Sequence, residues 1–240
     1  MENRRNYKQF CALARALDRL GERWTLLIVR NLLLGPKRYS DLLEELPGIT
    51  TNLLAQRLRD LERDGLVVRR AAPSPVRAHV YELGDNGRAL EPALMELARW
   101  GSRFMTSPCE DDTLNIGWGL LSMKRRYRGG LSLVAEFRID ERCFELVFEP
   151  GYLTVNERPA ARPAIVVRGA LEDFRAWLFL GEKGAELRQQ WRLSVDGSDD
   201  DWAALLEAFA ARETWPEEIL ASRQRGTESQ SASAARPNPA

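Results

Sequence analysis

Residues 50–65 read TTNLLAQRLRDLERDG, and the rest of the chain makes most sense as support for this stretch. Thr50 is a good N-cap, since its hydroxyl can accept a bond from a first-turn amide, and Gly65 suits a helix stop. Between them Leu54, Leu58 and Leu61 recur at i, i+4 and i+7, one apolar stripe of an α-helix. Helical stepping from that stripe puts Asn52, Gln56, Arg59 and Arg63 on the opposite face. Amides pair bidentately with adenine edges and guanidiniums with guanine or phosphate, so the face has the chemistry of a major-groove reader. A polar outer face is also the norm for a solvated surface helix. The flanking sequence decides between the two.

Upstream, residues 11–20 place Ala16, Leu17 and Leu20 on one face of a helix closed by Gly21. Residues 23–34 predict a second helix that buries Trp24, Leu27, Ile28 and Leu32 and stops at Gly35-Pro36. Ser40 is placed to cap a short helix over 41–46, and Pro47-Gly48 turns the chain straight into the 50–65 helix. Two short helices joined by a tight glycine-containing turn, the second polar outside, form the helix-turn-helix pattern. Downstream, residues 66–70 predict a strand, Pro73, Ser74 and Pro75 a turn, and the alternating residues 77–83 a return strand. Arg69, Arg70 and Arg77 fall near the hairpin tip, where they add salt-sensitive phosphate affinity as a wing.

These blocks resemble the HxlR-type winged helix-turn-helix regulators. The likeness is carried by Cys11-Ala12-Leu13-Ala14-Arg15-Ala16-Leu17, Arg23-Trp24-Thr25-Leu26-Leu27-Ile28, Leu34-Gly35-Pro36, Arg38-Tyr39-Ser40-Asp41-Leu42, Pro47-Gly48-Ile49-Thr50, Gln56-Arg57-Leu58-Arg59 and Gly65-Leu66-Val67, with Tyr81-Glu82-Leu83-Gly84 and Gly87 closing the wing. It spans about residues 7–105. It implies a dimeric DNA-binding transcriptional regulator with the 50–65 helix in the major groove. Thr50-Thr51 stand where many relatives have Ser-Pro; Thr keeps the cap and loses only a preorganised first turn. Thr51, Asn52, Gln56 and Arg59 are then expected at base edges, with Thr50 capping the helix that presents them. Arg38, Ser40, Arg57, Arg69, Arg70 and Arg77 are expected at phosphates. Residues 85–104 predict a helix whose Leu90, Leu94, Leu97 and Trp100 dimerise, pack on the first helix, or both. In some members of the family a cysteine at the place of Cys11 senses oxidants or electrophiles. Here Cys11 begins a helix with Arg15 one turn on, which favours thiolate; the other reading is a small buried hydrophobe.

A length of 240 residues accommodates two domains. The net charge of zero conceals an asymmetry: residues 1–105 carry 18 Lys+Arg against 13 Asp+Glu, and residues 106–240 carry 17 against 22. A basic front half and an acidic back half fit a DNA-contacting domain joined to a domain with another task. The polar start MENRRNYKQF is no secretory signal, and the apolar run at 26–34, broken by Arg30 and Asn31, is too short to span a bilayer. Cys11, Cys109 and Cys143 lack paired metal-ligand spacing and fit a reducing cytosol, so a cytoplasmic protein without membrane association is expected.

Residues 106–112 read as a linker and 222–240 as a disordered tail. Between them, residues 113–215 predict an α+β domain: a helix over 113–127, antiparallel strands at 131–139, 143–148, 151–156 and 163–168, an amphipathic helix at 171–180, a strand at 193–197 and a helix at 199–212. That order resembles the sterol-carrier-protein fold, which implies an apolar cavity for a lipid-like or other hydrophobic molecule. Trp118, Phe137, Phe144, Phe148, Trp177, Phe179 and Trp191 are the candidate walls, with core filling as the alternative for each. The sole histidine, His79, lies in the wing strand, and no P-loop, dinucleotide fingerprint or zinc-ligand spacing occurs. No enzyme, cofactor or metal is therefore expected. The expected function is a homodimeric regulator of double-stranded DNA responding to a small apolar effector. Two rivals are a redox regulator switched through Cys11 and a lipid-binding protein whose winged helix makes protein contacts.

Overall fold

The computed structural model describes residues 6–72, 79–105, 112–124, 127, 129–180 and 183–210. The wing turn with Arg77, the linker through residue 111 with Cys109, and the 222–240 tail lie outside them. The N-terminal half runs α1 (Ala12–Leu20), α2 (Thr25–Leu32), β1 (Lys37–Arg38), α3 (Tyr39–Glu45), α4 (Thr51–Arg63), β2 (Val67–Ala71), β3 (His79–Leu83), α5 (Asp85–Arg88) and α6 (Glu91–Gly101), closed by a 3-10 turn at Ser102–Phe104. Its core joins Ile28, Val29 and Leu32 of α2 to Leu42, Leu46, Leu54, Leu58, Leu61, Val67, Leu83 and Leu94. The leucine stripe of α4 is buried as its spacing requires.

Four local expectations are corrected. The second helix starts later, because Trp24 holds a left-handed φ of 80° ahead of it; its buried side is Ile28, Val29 and Leu32, with Leu27 40% exposed. Ser40 does not cap α3. Arg38 occupies that position and its amide donates to the Asp41 carboxylate at 2.9 Å, because β1 runs directly into the helix. The 85–104 helix is divided, with α6 restarting near Pro92, a residue suited to a first turn. The wing is a three-stranded sheet in the order β1-β3-β2, its two-residue β1 pairing Lys37 with Tyr81 and Arg38 with Val80.

The C-terminal half runs α7 (Ile116–Lys124), β4 (Leu133–Ile139), β5 (Arg142–Glu149), β6 (Tyr152–Asn156), β7 (Ile165–Gly169), α8 (Leu171–Arg175), a π-turn at Ala176–Leu180, α9 (Gly184–Gln189), β8 (Leu193–Asp196) and α10 (Asp199–Ala210). Its sheet has the order β6-β5-β4-β7-β8. The strands are not all antiparallel as expected: β7 joins β4 in parallel, pairing Phe137 with Val167, because the chain crosses the sheet between β6 and β7. One face carries Leu133, Ala135, Phe137, Ile139, Phe144, Leu146 and Phe148, and Leu120, Phe174, Trp177, Leu187 and Leu205 of the helices pack into the same core. The opposite face carries Glu136 and Glu145 as a cross-strand pair. The 157–164 connection passes over them: the Ala160 amide donates to Glu136 at 2.7 Å and Arg158 to Glu145 at 2.6 Å.

The halves meet along a polar seam that flanks an apolar contact made by Leu33 and Leu34. Leu34, from the end of the second helical segment, belongs to the C-terminal core. A Cβ on Gly117 would lie 2.6 Å from its Cδ1, so a methyl there would force the Leu34 side chain to shift. Among the described residues no helix is long and apolar enough to cross a membrane, and no cluster of metal-ligating side chains occurs.

Candidate nucleic-acid interface

The outward face of α4 is held by interactions on both of its ends. Thr50 Oγ1 accepts from the Leu53 amide at 3.3 Å, the cap its position in the sequence requires. The Tyr39 hydroxyl donates to the Thr51 carbonyl at 2.6 Å, tying α3 to the first turn of α4. Sequence reasoning missed Tyr39; its only signal was its place in the block Arg38-Tyr39-Ser40. At the far end Gly65 takes φ +69°, the left-handed stop. Thr51, Asn52, Gln56 and Arg59 are all exposed on the presented face. Arg63, on the same face, pairs with Asp60 at 2.7 Å.

Among the expected phosphate contacts the placements diverge. Arg69 and Arg70 are exposed on β2 beside α4. Arg70 is ion-paired with Glu82 across the ladder, while Arg69 faces Tyr81 in register. Burial raises the Tyr81 hydroxyl above its ordinary pKa, and the Arg69 charge opposes that. Arg38 and Ser40 are exposed at the start of α3, with Ser40 Oγ 3.1 Å from Asp41. Arg57 is placed otherwise: its guanidinium binds Glu22 at 2.8 Å and the Arg23 carbonyl at 3.2 Å, and its side chain is 11% exposed. It fastens α4 to the turn before α2 and is turned away from the α4 reading face. Arg57 lies between the buried stripe and the outer face, where sequence spacing does not determine which way a long side chain folds.

Of the seven aromatics assigned to a cavity, four share one buried core, while Trp118 and Trp191 lie elsewhere. Phe137, Phe148 and Trp177 share one buried cluster with Phe174 and Phe209, and Phe144 is fully buried in the same core. Trp118 lies instead at the seam, with Arg30 Cζ 3.7 Å from its ring centroid and its Nε1 donating to Asn31 at 2.9 Å. Burial lowers the Arg30 pKa to about 10, against an opposing pull from Glu45, so the stacked cation stays charged at neutral pH. Trp191 is 91% exposed with φ +60° after α9 and lines no enclosed space. The Phe179 side chain lies outside the described residues. Cys11 is exposed at the start of α1, not buried, and Arg15 faces Asp18 at 3.5 Å.

A capped helix presenting two amides and a guanidinium, beside an arginine-bearing β-ribbon, defines a winged helix-turn-helix DNA-binding fold. Residues 19–108 match the family described as HxlR-like helix-turn-helix. The chain is 38% identical over 102 residues to the uncharacterized HTH-type transcriptional regulator YvaP of Bacillus subtilis, covering 42% of this chain and 94% of that protein. It is 36% identical to the HTH-type transcriptional regulator YodB of the same organism, over 40% of this chain and 89% of YodB. The solved redox regulator HypR in its oxidized form is 31% identical with a TM-score of 0.37, over 39% of this chain and 96% of HypR. The chain belongs to the HxlR-like family of helix-turn-helix transcriptional regulators.

Proposed function

We propose that this chain is a cytoplasmic, sequence-specific regulator that binds double-stranded DNA as a homodimer, with α4 in the major groove and β2 and β3 against the backbone. The exposed face Thr51, Asn52, Gln56 and Arg59, flanked by Arg69, carries this reading. Dimerisation is supported by apolar residues left uncovered on α1, on α6 and on the 3-10 turn after it, with Leu13 67%, Trp100 56% and Phe104 68% exposed. Two-fold symmetry of the protein then matches a two-fold operator. The test is salt-dependent binding to the protein's own promoter region. Gln56→Ala is expected to relax sequence preference. Arg69→Ala is expected to weaken all sequences alike and reduce the salt slope by about one. Binding that is insensitive to both changes would falsify the assignment.

We infer that residues 113–215 form a domain with a sterol-carrier-like arrangement that takes a small apolar effector. Its single-sided helical cover and the π-turn amid the aromatic core support this, since such turns recur at functional sites. The effector acts by binding two arrangements of the reader helices unequally. A second reading, redox switching through Cys11, is favoured by the exposed thiol and by the relatives: YodB is solved in reduced and quinone-bound forms, and HypR is a redox regulator. Cys11→Ser should then abolish the response to oxidant or quinone and leave DNA binding intact; a retained response sinks that reading.

A further inference from the structure

We propose that the C-terminal half positions the wing through a charge latch centred on Lys37, deepening the DNA-binding reading on which it rests. Lys37 is 6% exposed and lies on β1, the strand that pairs with β3 of the wing and runs without a break into α3. Its Nζ donates to Glu45 at the end of α3 at 2.7 Å and to Glu157 of the C-terminal half at 2.8 Å. Glu157 is held in turn by Arg142 Nε at 2.7 Å, and Arg142 reaches Asn115 at 3.0 Å. The Glu157 amide also donates to the Leu34 carbonyl at 2.6 Å, three residues before Lys37. Charge and backbone together fix this corner of the N-terminal half from outside it.

Glu157 opens the connection that crosses the C-terminal sheet and is tied down on Glu136 and Glu145. A shift in the sheet or its helices therefore reaches β1 through one short, anchored segment. A second clamp bears on the other side: Glu91, at the start of α6, takes Lys124 of α7 and the Tyr152 hydroxyl of β6. The C-terminal half thus spans the support of the wing and the helix assigned to dimerisation. It is placed to set the geometry between them. The latch is breakable, because its network is only partly satisfied: Glu45 Oε2 and Arg142 Nη2 are buried without a hydrogen-bond partner among the described residues. Lys37 is a positioning residue, acting on DNA through β1 and β3.

The test uses the full chain with Glu157→Gln, Glu157→Asp and, at the exposed β4–β5 turn, the control Glu141→Gln. Amide hydrogen exchange is read on peptides covering β1 and β3. Glu157→Gln should raise exchange there about tenfold or more, because losing one partner of a buried ion pair leaves Lys37 undercompensated. Glu157→Asp should recover part of the protection, and Glu141→Gln should change nothing. Affinity for mixed-sequence duplex DNA should fall about threefold or more with Glu157→Gln, as the arginines beside α4 lose their fixed register. If Glu157→Gln does not fold, Arg142→Lys replaces it, keeping charge while breaking the shared bonds to Glu157 and Asn115. Exchange that rises only over residues 152–165 overturns the latch. Failure of the wild type to bind DNA overturns the regulator reading alone, because the exchange result decides the latch without DNA.

Discussion

Single side chains fix how α4 is presented. Thr50 is the acceptor for one first-turn amide, so Thr50→Ala should cost about 1 kcal/mol in a denaturant titration, and Thr50→Ser should cost little. Arg57 shows how a residue that reads as a DNA contact serves the fold: its three partners lie within the N-terminal half. Arg57→Ala should lower stability with the salt slope of DNA binding unchanged, the reverse of Arg69→Ala. Arg70 is ion-paired with Glu82 on the neighbouring strand. Glu82→Gln should therefore tighten binding to any duplex at low salt, and the gain should vanish as salt rises. A gain that survives high salt would mean Glu82 acts by shape.

Secondary-structure elements obey spacing where one apolar face is buried, and depart from it where contacts from afar decide. The stripe Leu54, Leu58 and Leu61, the Thr50 cap and the Gly65 stop were all legible, because each is set within a few residues. β1 was not, since a two-residue strand exists only through its pairing with Tyr81 and Val80. α9 was missed for a similar reason: six residues are too few to show helical periodicity. The parallel join of β7 to β4 and the dispersal of Trp118 and Trp191 depend on crossovers that no local pattern records. Where α7 meets Leu34 the fit is close enough that a methyl would displace the leucine side chain. Gly117→Ala should cost about 1–3 kcal/mol as overpacking. Leu34→Ala should also destabilise the protein, yet the double variant should be milder than the sum, and strict additivity would show that the two do not touch.

For the whole molecule, the acid response should trace to the seam. Burial pushes the Glu157 carboxyl up, but the bonds and charges of Arg142 and Lys37 outweigh it and hold the group below its ordinary 4.5. A carboxyl depressed in the folded state contributes stability above its unfolded pKa and loses it as pH falls through the folded value. Glu45 also faces this site, beside Lys37 and Arg142. Melting temperatures of wild type and Glu157→Gln should differ most above pH about 4.5 and converge in stronger acid. A gap that persists unchanged would assign the loss to other carboxylates. The seam has one further property, which follows from Leu33 and Leu34 sitting beside its charges. An apolar knob in a socket resists separation but hardly resists rotation, whereas ion pairs flanking it resist twist. Acid should therefore slacken the torsional stiffness between the halves before it parts them, because Leu33 and Leu34, the Glu157–Leu34 backbone bond and the Arg30–Trp118 stack carry no group that titrates there.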